Sequence, residues 1–108
     1  YVSAQPSVEL RDAQIQVQDM FKRRLYVEAV PYAEEAIRIS EIEKAAEHPT
    51  TATLMFNLGK LFYLQSRYEE AEPIYIRALV IRESVFGNAH PEVAASYNSL
   101  GRLYDRQG

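Results

Sequence analysis

Apolar residues along this chain recur with the period of a helix. Leu54, Leu58 and Leu61, with Phe62 beside them, fall on one stripe, and so do Val93, Tyr97, Leu100 and Tyr104. The second stripe lies opposite Glu92, Ser99, Arg102 and Arg106, the one-sided pattern of a helix with one face to bury. Ser66-Arg67 breaks the first pattern, and a second helix is predicted from Tyr68, with Glu69, Glu70 and Glu72 near its start and Arg77 and Arg82 toward its end. That charge order complements the helix dipole. Gly87-Asn88 is expected to end it through a residue of positive φ. Pro49 and Pro91 stand where a first-turn proline loses no hydrogen bond, and Pro73, just past the first turn, is expected to bend its helix slightly. A similar layout runs from Tyr26 to about Ala46 without the terminating glycine. No sustained alternation and no Asn-Gly hairpin signal argues for a strand.

The chain also repeats itself. A shift of 42 residues superimposes His48-Pro49 on His90-Pro91, Ala52 on Ala94, Leu58-Gly59 on Leu100-Gly101, Leu61 on Leu103 and Gln65 on Gln107, seven identities between residues 48 and 66. The same shift places Tyr26 on Tyr68, Glu28-Ala29 on Glu70-Ala71, Pro31 on Pro73, Ala36 on Ala78, Ile39 on Ile81 and Glu41 on Glu83. Upstream of Tyr26 a shift of 41 matches better, laying Val17, Met20 and Phe21 over Leu58, Leu61 and Phe62, which implies one residue lost from the turn. The expected organisation is a single array over 1–108: a degenerate repeat at 7–47, a complete one at 48–89 and the first helix of a third at 90–108. Val8, Leu10 and Ile15 extend the helical pattern into the N-terminal stretch. Gly59 costs a helix interior about 1 kcal/mol against alanine, so it and Gly101 point to close approach of a neighbouring helix, with Phe62, Tyr75 and Tyr104 as large fillers.

Composition narrows the function classes. The chain has 108 residues, 47% of them hydrophobic and 25% charged, a balance that fits a folded domain rather than disorder. A formal charge of −3 provides no basic field for nucleic acid or an anionic membrane, and no apolar run approaches a membrane span. The absence of cysteine excludes disulfides, thiolate metal sites and cysteine nucleophiles, and is compatible with either redox compartment. Eight tyrosines with no tryptophan suit thin helical layers, because a tyrosine can bury its ring and keep its hydroxyl near water. The chain opens on Tyr1, so a processed or trimmed N-terminus is expected.

The residues now carry a resemblance. Leu58-Gly59, Phe62, Ala71, Tyr75 and Ala78 stand at the Leu-Gly, Tyr, Ala, Phe and Ala positions of the tetratricopeptide repeat. The long period, His90-Pro91-Glu92-Val93-Ala94, Asn98-Ser99-Leu100-Gly101 and the run from Tyr68 to Leu79 are similar to the kinesin-light-chain-like subclass. The resemblance covers about residues 15 to 108. It departs in the first copy, where Gln18 is expected at the packing glycine and Arg24 at the turn residue.

This resemblance implies an all-α, right-handed α-α superhelix of helical hairpins, about two and a half repeats and five helices, acting as a non-catalytic protein–protein interaction module with no cofactor. It places partner-binding residues on a concave groove at Phe56, Asn57, Lys60, Tyr63, Asn98, Arg102 and Arg106, with Ile15, Asp19 and Lys22 as first-copy counterparts. An asparagine amide both donates and accepts, and so can pair with a peptide unit. Lys60 and Arg102 share one groove position and would favour an acidic protein or linear peptide. The lysine and arginine positions of the carboxylate-clamp relatives carry Phe56, Thr53 and Ser99 here, which disfavours that partner class. The alternative function is a structural subunit of a larger complex or oligomer, held through repeat ends or the convex face.

Other candidate chemistry is weak. His48 and His90 lie one repeat apart, each before a proline, and read as helix entrances; with no cysteine or third histidine they do not compose a zinc site. Glu34-Glu35 and Glu69-Glu70 read as solvated helix surface, and Lys22-Arg23-Arg24 lies at a turn without aromatic interleaving. No phosphate-binding glycine loop or nucleophile elbow is present. The third copy lacks its second helix, so further repeats or a partner chain are expected to cover the C-terminal end, a capping helix being the other reading. Gly101 and Leu103 are expected to pack against a further helix there.

Overall fold

A computed structural model describes residues 7–44 and 46–108, and there the chain is five α-helices: α1 (Val8–Lys22), α2 (Tyr26–Glu43), α3 (Pro49–Leu64), α4 (Tyr68–Phe86) and α5 (Pro91–Gln107). Residues 1–6, included in the expected array, lie outside the described residues.

Local chemistry sets the helix ends. Ser7 Oγ accepts from the Leu10 amide at 3.1 Å and caps α1. His48 and His90 do the same for α3 and α5 through Nδ1, each accepting at 3.1 Å from an amide two residues on, with proline between. The two histidines are therefore N-caps. Gly87, at φ +79, closes α4 with its N–H on the Glu83 carbonyl.

Within each hairpin the helices are joined by three residues, which forces antiparallel neighbours. Both turns are built alike: Arg24 and Ser66 adopt φ 58 and 60, and the following amides of Leu25 and Arg67 reach back to the carbonyls of Met20 and Phe62 at 2.8 and 2.9 Å. This is the six-to-one closure of a helix C-terminus. The aromatic pairs beside the turns correspond as well, Phe21 with Tyr26 and Tyr63 with Tyr68.

That correspondence corrects the expected register of the first repeat. No residue is missing from its turn, and the shift is 42 throughout. Val17, not Gln18, then stands at the place of Gly59, and the residue opposite it is Ala33 where the second repeat has Tyr75. The two repeats solve the same space in opposite ways. In the second, a Cβ on Gly59 would lie 2.7 Å from the Tyr75 ring, so the small residue is on the first helix; in the first, valine sits on the first helix and alanine on the second. Interiors close-pack, so size lost on one side is regained on the other.

Each helix packs chiefly on its neighbours in the chain, α1 on α2, α2 on α3, α3 on α4 and α4 on α5. The result is a slab with extents of 49 × 33 × 19 Å, about two helices thick in its narrow direction. The buried core runs its whole length, from Leu10 through Leu61 to Leu103. Polar pairs cross both junctions between hairpins. Ser40 and Thr51, each fully buried, join α2 to α3 by a 2.7 Å hydroxyl contact. One period on, Arg82 is 4% exposed and donates to Ser96 Oγ at 2.8 Å and to the Glu92 carbonyl at 3.3 Å, joining α4 to α5, while its Nε has no partner. Arg82 is thus a seam residue rather than a surface complement to the helix dipole, and burial pushes its pKa down.

The stripe expected on α5 divides. Val93, Leu100 and Leu103 are buried with Ser96, whereas Tyr97 and Tyr104 are exposed because, among the described residues, no helix covers that side. Tyr104 is not a gap filler, Leu103 already packs inward, and a Cβ on Gly101 would meet nothing within 4 Å.

Three measurements check this packing. Gly59→Ala is expected to destabilise by about 1–2 kcal/mol through overpacking against Tyr75, whereas Gly101→Ala should stabilise by up to about 1 kcal/mol through helix propensity; urea unfolding of both variants reads the opposite signs. Ser96→Ala should cost roughly 1–3 kcal/mol by stranding the Arg82 guanidinium, and Ser96→Ala/Arg82→Met should recover most of that in a double-mutant cycle. Burial, aided by Tyr63 and opposed by Arg102, pushes the Tyr75 phenol up to about 12. The fold favours its protonated form, so this contribution is complete below about pH 10 and falls by roughly 2–3 kcal/mol as pH rises to about 12, measurable as base-induced loss of stability that Tyr75→Phe lacks.

Candidate functional site

α3 and α5 lie side by side on one face of the slab, and between them runs a groove of about 400 Å³. It is lined by Phe56, Lys60, Tyr63 and Leu64 from α3, by Ala95, Asn98, Ser99 and Arg102 from α5, and by Tyr75 from α4. The spacing explains the composition: Phe56, Lys60 and Tyr63 share one side of α3, and Ala95, Asn98, Ser99 and Arg102 share one side of α5.

The groove's apolar floor is fixed. The Phe56 ring tilts on Tyr75 with centroids 5.4 Å apart, and the Arg82 guanidinium lies 4.6 Å from the Phe56 centroid on its other contact. Tyr75, 3% exposed, fills the notch at Gly59 and still lines the groove, where Tyr63 and Arg102 act on its hydroxyl. The cations ring this floor. Lys60 is exposed, with its ammonium 5.7 Å from the Phe21 centroid of α1, and Arg102 is exposed on the opposite wall. Among the described residues, neither makes an ion pair, so both are available to an anionic group.

Five of the seven sequence-derived residues come together here: Phe56, Lys60, Tyr63, Asn98 and Arg102. Asn57 does not. It turns to a separate, smaller recess between α1 and α3, with Gln14, Val17, Gln18, Ala33, Thr53 and Leu54. Arg106 lies beyond the groove's end, beside Ser66, Arg67, Tyr68, Glu69 and Glu70, where donation to the Tyr63 oxygen holds its guanidinium more firmly charged. Ile15, Asp19 and Lys22 border a shallow depression formed with Arg11, Gln14 and Gln18, all on α1. With the corrected register, the first-copy counterparts of Phe56, Asn57, Lys60 and Tyr63 are Gln14, Ile15, Gln18 and Phe21, so the α1 part of the face has no charged counterpart to Lys60.

Sequence reasoning missed Tyr75, Leu64, Ala95 and Ser99 as groove residues. Gly59 held the signal for Tyr75: a notch that admits a ring also lets it pass through to the far side. Among the described residues, no group of three His, Cys, Asp or Glu side chains is placed to hold a metal ion, and no helix is long and apolar enough to cross a membrane.

Comparison with known proteins agrees with this architecture. A family model for the tetratricopeptide repeat matches residues 18–79 and again 62–108. Similar proteins include a nucleotide-binding leucine-rich repeat (NLR)-like protein of Hyaloscypha variabilis, 30% identical over 76 residues, which is 70% of this chain and 8% of that protein. A clustered mitochondria protein homolog of Homo sapiens is 32% identical over 76 residues, 70% of this chain and 6% of that protein. Its counterpart in Botryotinia fuckeliana is 32% identical over 63 residues, 58% of this chain and 5% of that protein. The chain thus spans only a small part of the length of each relative. Two overlapping family matches from residue 18 to the end, on five helices paired as hairpins, show that the chain belongs to the tetratricopeptide repeat family, whose repeats mediate protein–protein interaction.

Proposed function

We propose that this chain is a non-catalytic binding module that holds an acidic linear peptide in the groove between α3 and α5. The observation that carries the reading is that Lys60 and Arg102, which make no ion pair among the described residues, line one groove with the Asn98 amide over an aromatic floor of Phe56, Tyr63 and Tyr75. Each element has a physical task. The cations steer and hold carboxylates. Asn98 offers a donor and an acceptor to a peptide unit in an extended segment. The rings supply rigid apolar area that a side chain of the peptide covers, which is where binding energy concentrates. Asn57, in the adjoining recess, would meet the same peptide one step toward α1, so the ligand runs across the helices rather than along one of them. The kinesin-light-chain-like pattern of Asn98-Ser99-Leu100-Gly101 supports this orientation.

A structural role, through the repeat ends or the convex face, is the second reading.

Substituting Lys60, Asn98 and Arg102 together by alanine is expected to weaken capture of an acidic peptide by about a hundredfold or more, with helicity and melting temperature unchanged. Fluorescence anisotropy with a labelled poly-acidic peptide bearing one aromatic residue reads the change. Wild-type affinity should fall steeply as salt is raised, since exposed charges are screened within about 10 Å at 0.1 M ionic strength. Unaltered affinity in the triple variant, or indifference to salt, would reject the groove.

A further inference from the structure

The groove between α3 and α5 has a counterpart one period earlier. Gln14, Gln18, Ala33, Thr53 and Asn57, which line the recess between α1 and α3, stand 42 residues before Phe56, Lys60, Tyr75, Ala95 and Ser99 of the groove. The fold thus builds one site twice, with different chemistry. The ring of Phe56 and the cation of Lys60 become the amides of Gln14 and Gln18, and the ring of Tyr75 becomes the methyl of Ala33. Ala33 gives the recess its depth. In the second repeat Tyr75 fills the notch at Gly59 and lines the groove. In the first repeat Val17 takes the place of Gly59 and Ala33 ends at its methyl, leaving open a recess of about 100 Å³. Its floor is apolar, with Val17, Ala33 and Leu54 at 4%, 2% and 6% exposure. No lining residue is charged. Among the described residues, the side-chain amides of Gln14, Gln18 and Asn57 make no hydrogen bond, so their donors and acceptors are open to a ligand.

We propose that this recess is a second subsite for the peptide, and that it selects a valine, leucine or isoleucine about three residues from the acidic element held by Lys60 and Arg102. The proposal rests on the reading of the α3–α5 groove as a peptide site. Three physical limits define the occupant. A charged side chain on an apolar floor without a counter-ion would lose its hydration uncompensated. A ring is too large, since an apolar cavity that admits benzene measures about 150 Å³. A branched aliphatic side chain fits, and the amides at the rim can pair with the peptide units on either side of it. The spacing follows from the fold. The two subsites flank α3 and so lie about one helix diameter apart, roughly 10 Å, and an extended chain covers about 3.3 Å per residue. Recognition is thereby divided. The α3–α5 groove takes charge and aromatic surface, the α1–α3 recess takes a neutral apolar side chain, and the change from Tyr75 to Ala33 separates their preferences.

The test is fluorescence anisotropy of the intact chain with labelled peptides that share one acidic and aromatic element and differ at a single position. Two series, with that position about three residues before or about three residues after the element, cover both chain directions. In one series leucine should bind about tenfold or more tighter than alanine, while aspartate and tryptophan gain nothing over alanine. Ala33→Leu, which fills the recess from its floor, should erase the leucine gain and leave the affinity of the alanine peptide unchanged. Val17→Gly/Ala33→Tyr should do the same with a pair that the second repeat already packs, so the test survives if the single variant fails to fold. Leucine that binds no better than alanine in either series overturns the recess. The groove stands in that case if the alanine peptide still binds and loses affinity in the Lys60/Asn98/Arg102 alanine variant. A leucine gain that persists in Val17→Gly/Ala33→Tyr also overturns the recess. Failure of every peptide to bind overturns the groove, and the recess with it.

Discussion

A helical hairpin two helices thick has more apolar surface than its own two helices can bury, and this surplus organises the whole molecule. α3 illustrates the constraint: one side, through Thr51, Leu54, Leu58 and Leu61, is buried toward α2, and another, through Ala52, Met55, Gly59 and Phe62, is buried toward α4. In an isolated hairpin of α3 and α4 only the side toward α4 would stay dry. Stability therefore comes from neighbour-to-neighbour burial, added along the stack rather than gathered in one centre. The groove is a by-product of the same arrangement. First helices set side by side leave a furrow between them, and residues freed from packing line it.

Much of this was legible in the chain because repetition allows each residue to be checked against its counterpart. Helix number, the proline-led starts, the glycine stop and the histidines at helix entrances follow from local rules, which the structure obeys through caps and turns. Gly59 was readable as a packing residue for an energetic reason: a glycine that costs helix stability must be compensated by contact. The same logic applied to Gly101 finds no contact among the described residues.

What escaped the sequence was register and burial of polar groups. Val17, Met20 and Phe21 look better aligned one residue away from their true counterparts, because matching like with like rewards the wrong offset. Packing is kept between the two repeats only as a sum, Val17 with Ala33 standing for Gly59 with Tyr75, and a sum across two helices is invisible to residue-by-residue matching. Arg82 carried no mark of its burial either. Its position near the end of a helix suits a surface cation equally well, and only its neighbours Ser96 and Phe56, distant in sequence, distinguish the two. Asn57 and Arg106 were assigned to the groove by carrying over the positions that the family resemblance implies. A helix advances about 100° per residue, and one position suffices to turn a side chain into the next recess.

The polar pairs at the two junctions have a consequence for how the stack is assembled. An apolar interface between helices tolerates a slip of one turn, since leucine meets leucine again. The contact of Ser40 with Thr51 and that of Arg82 with Ser96 do not tolerate it: each slip would leave a hydroxyl or a guanidinium dry and unmatched. Every hairpin is thereby keyed to the next at a single offset, in the way that one buried polar residue fixes alignment in a coiled coil. The offset of the helices that line the groove is thus set by two small polar locks at the junctions, remote from the residues that would touch a ligand.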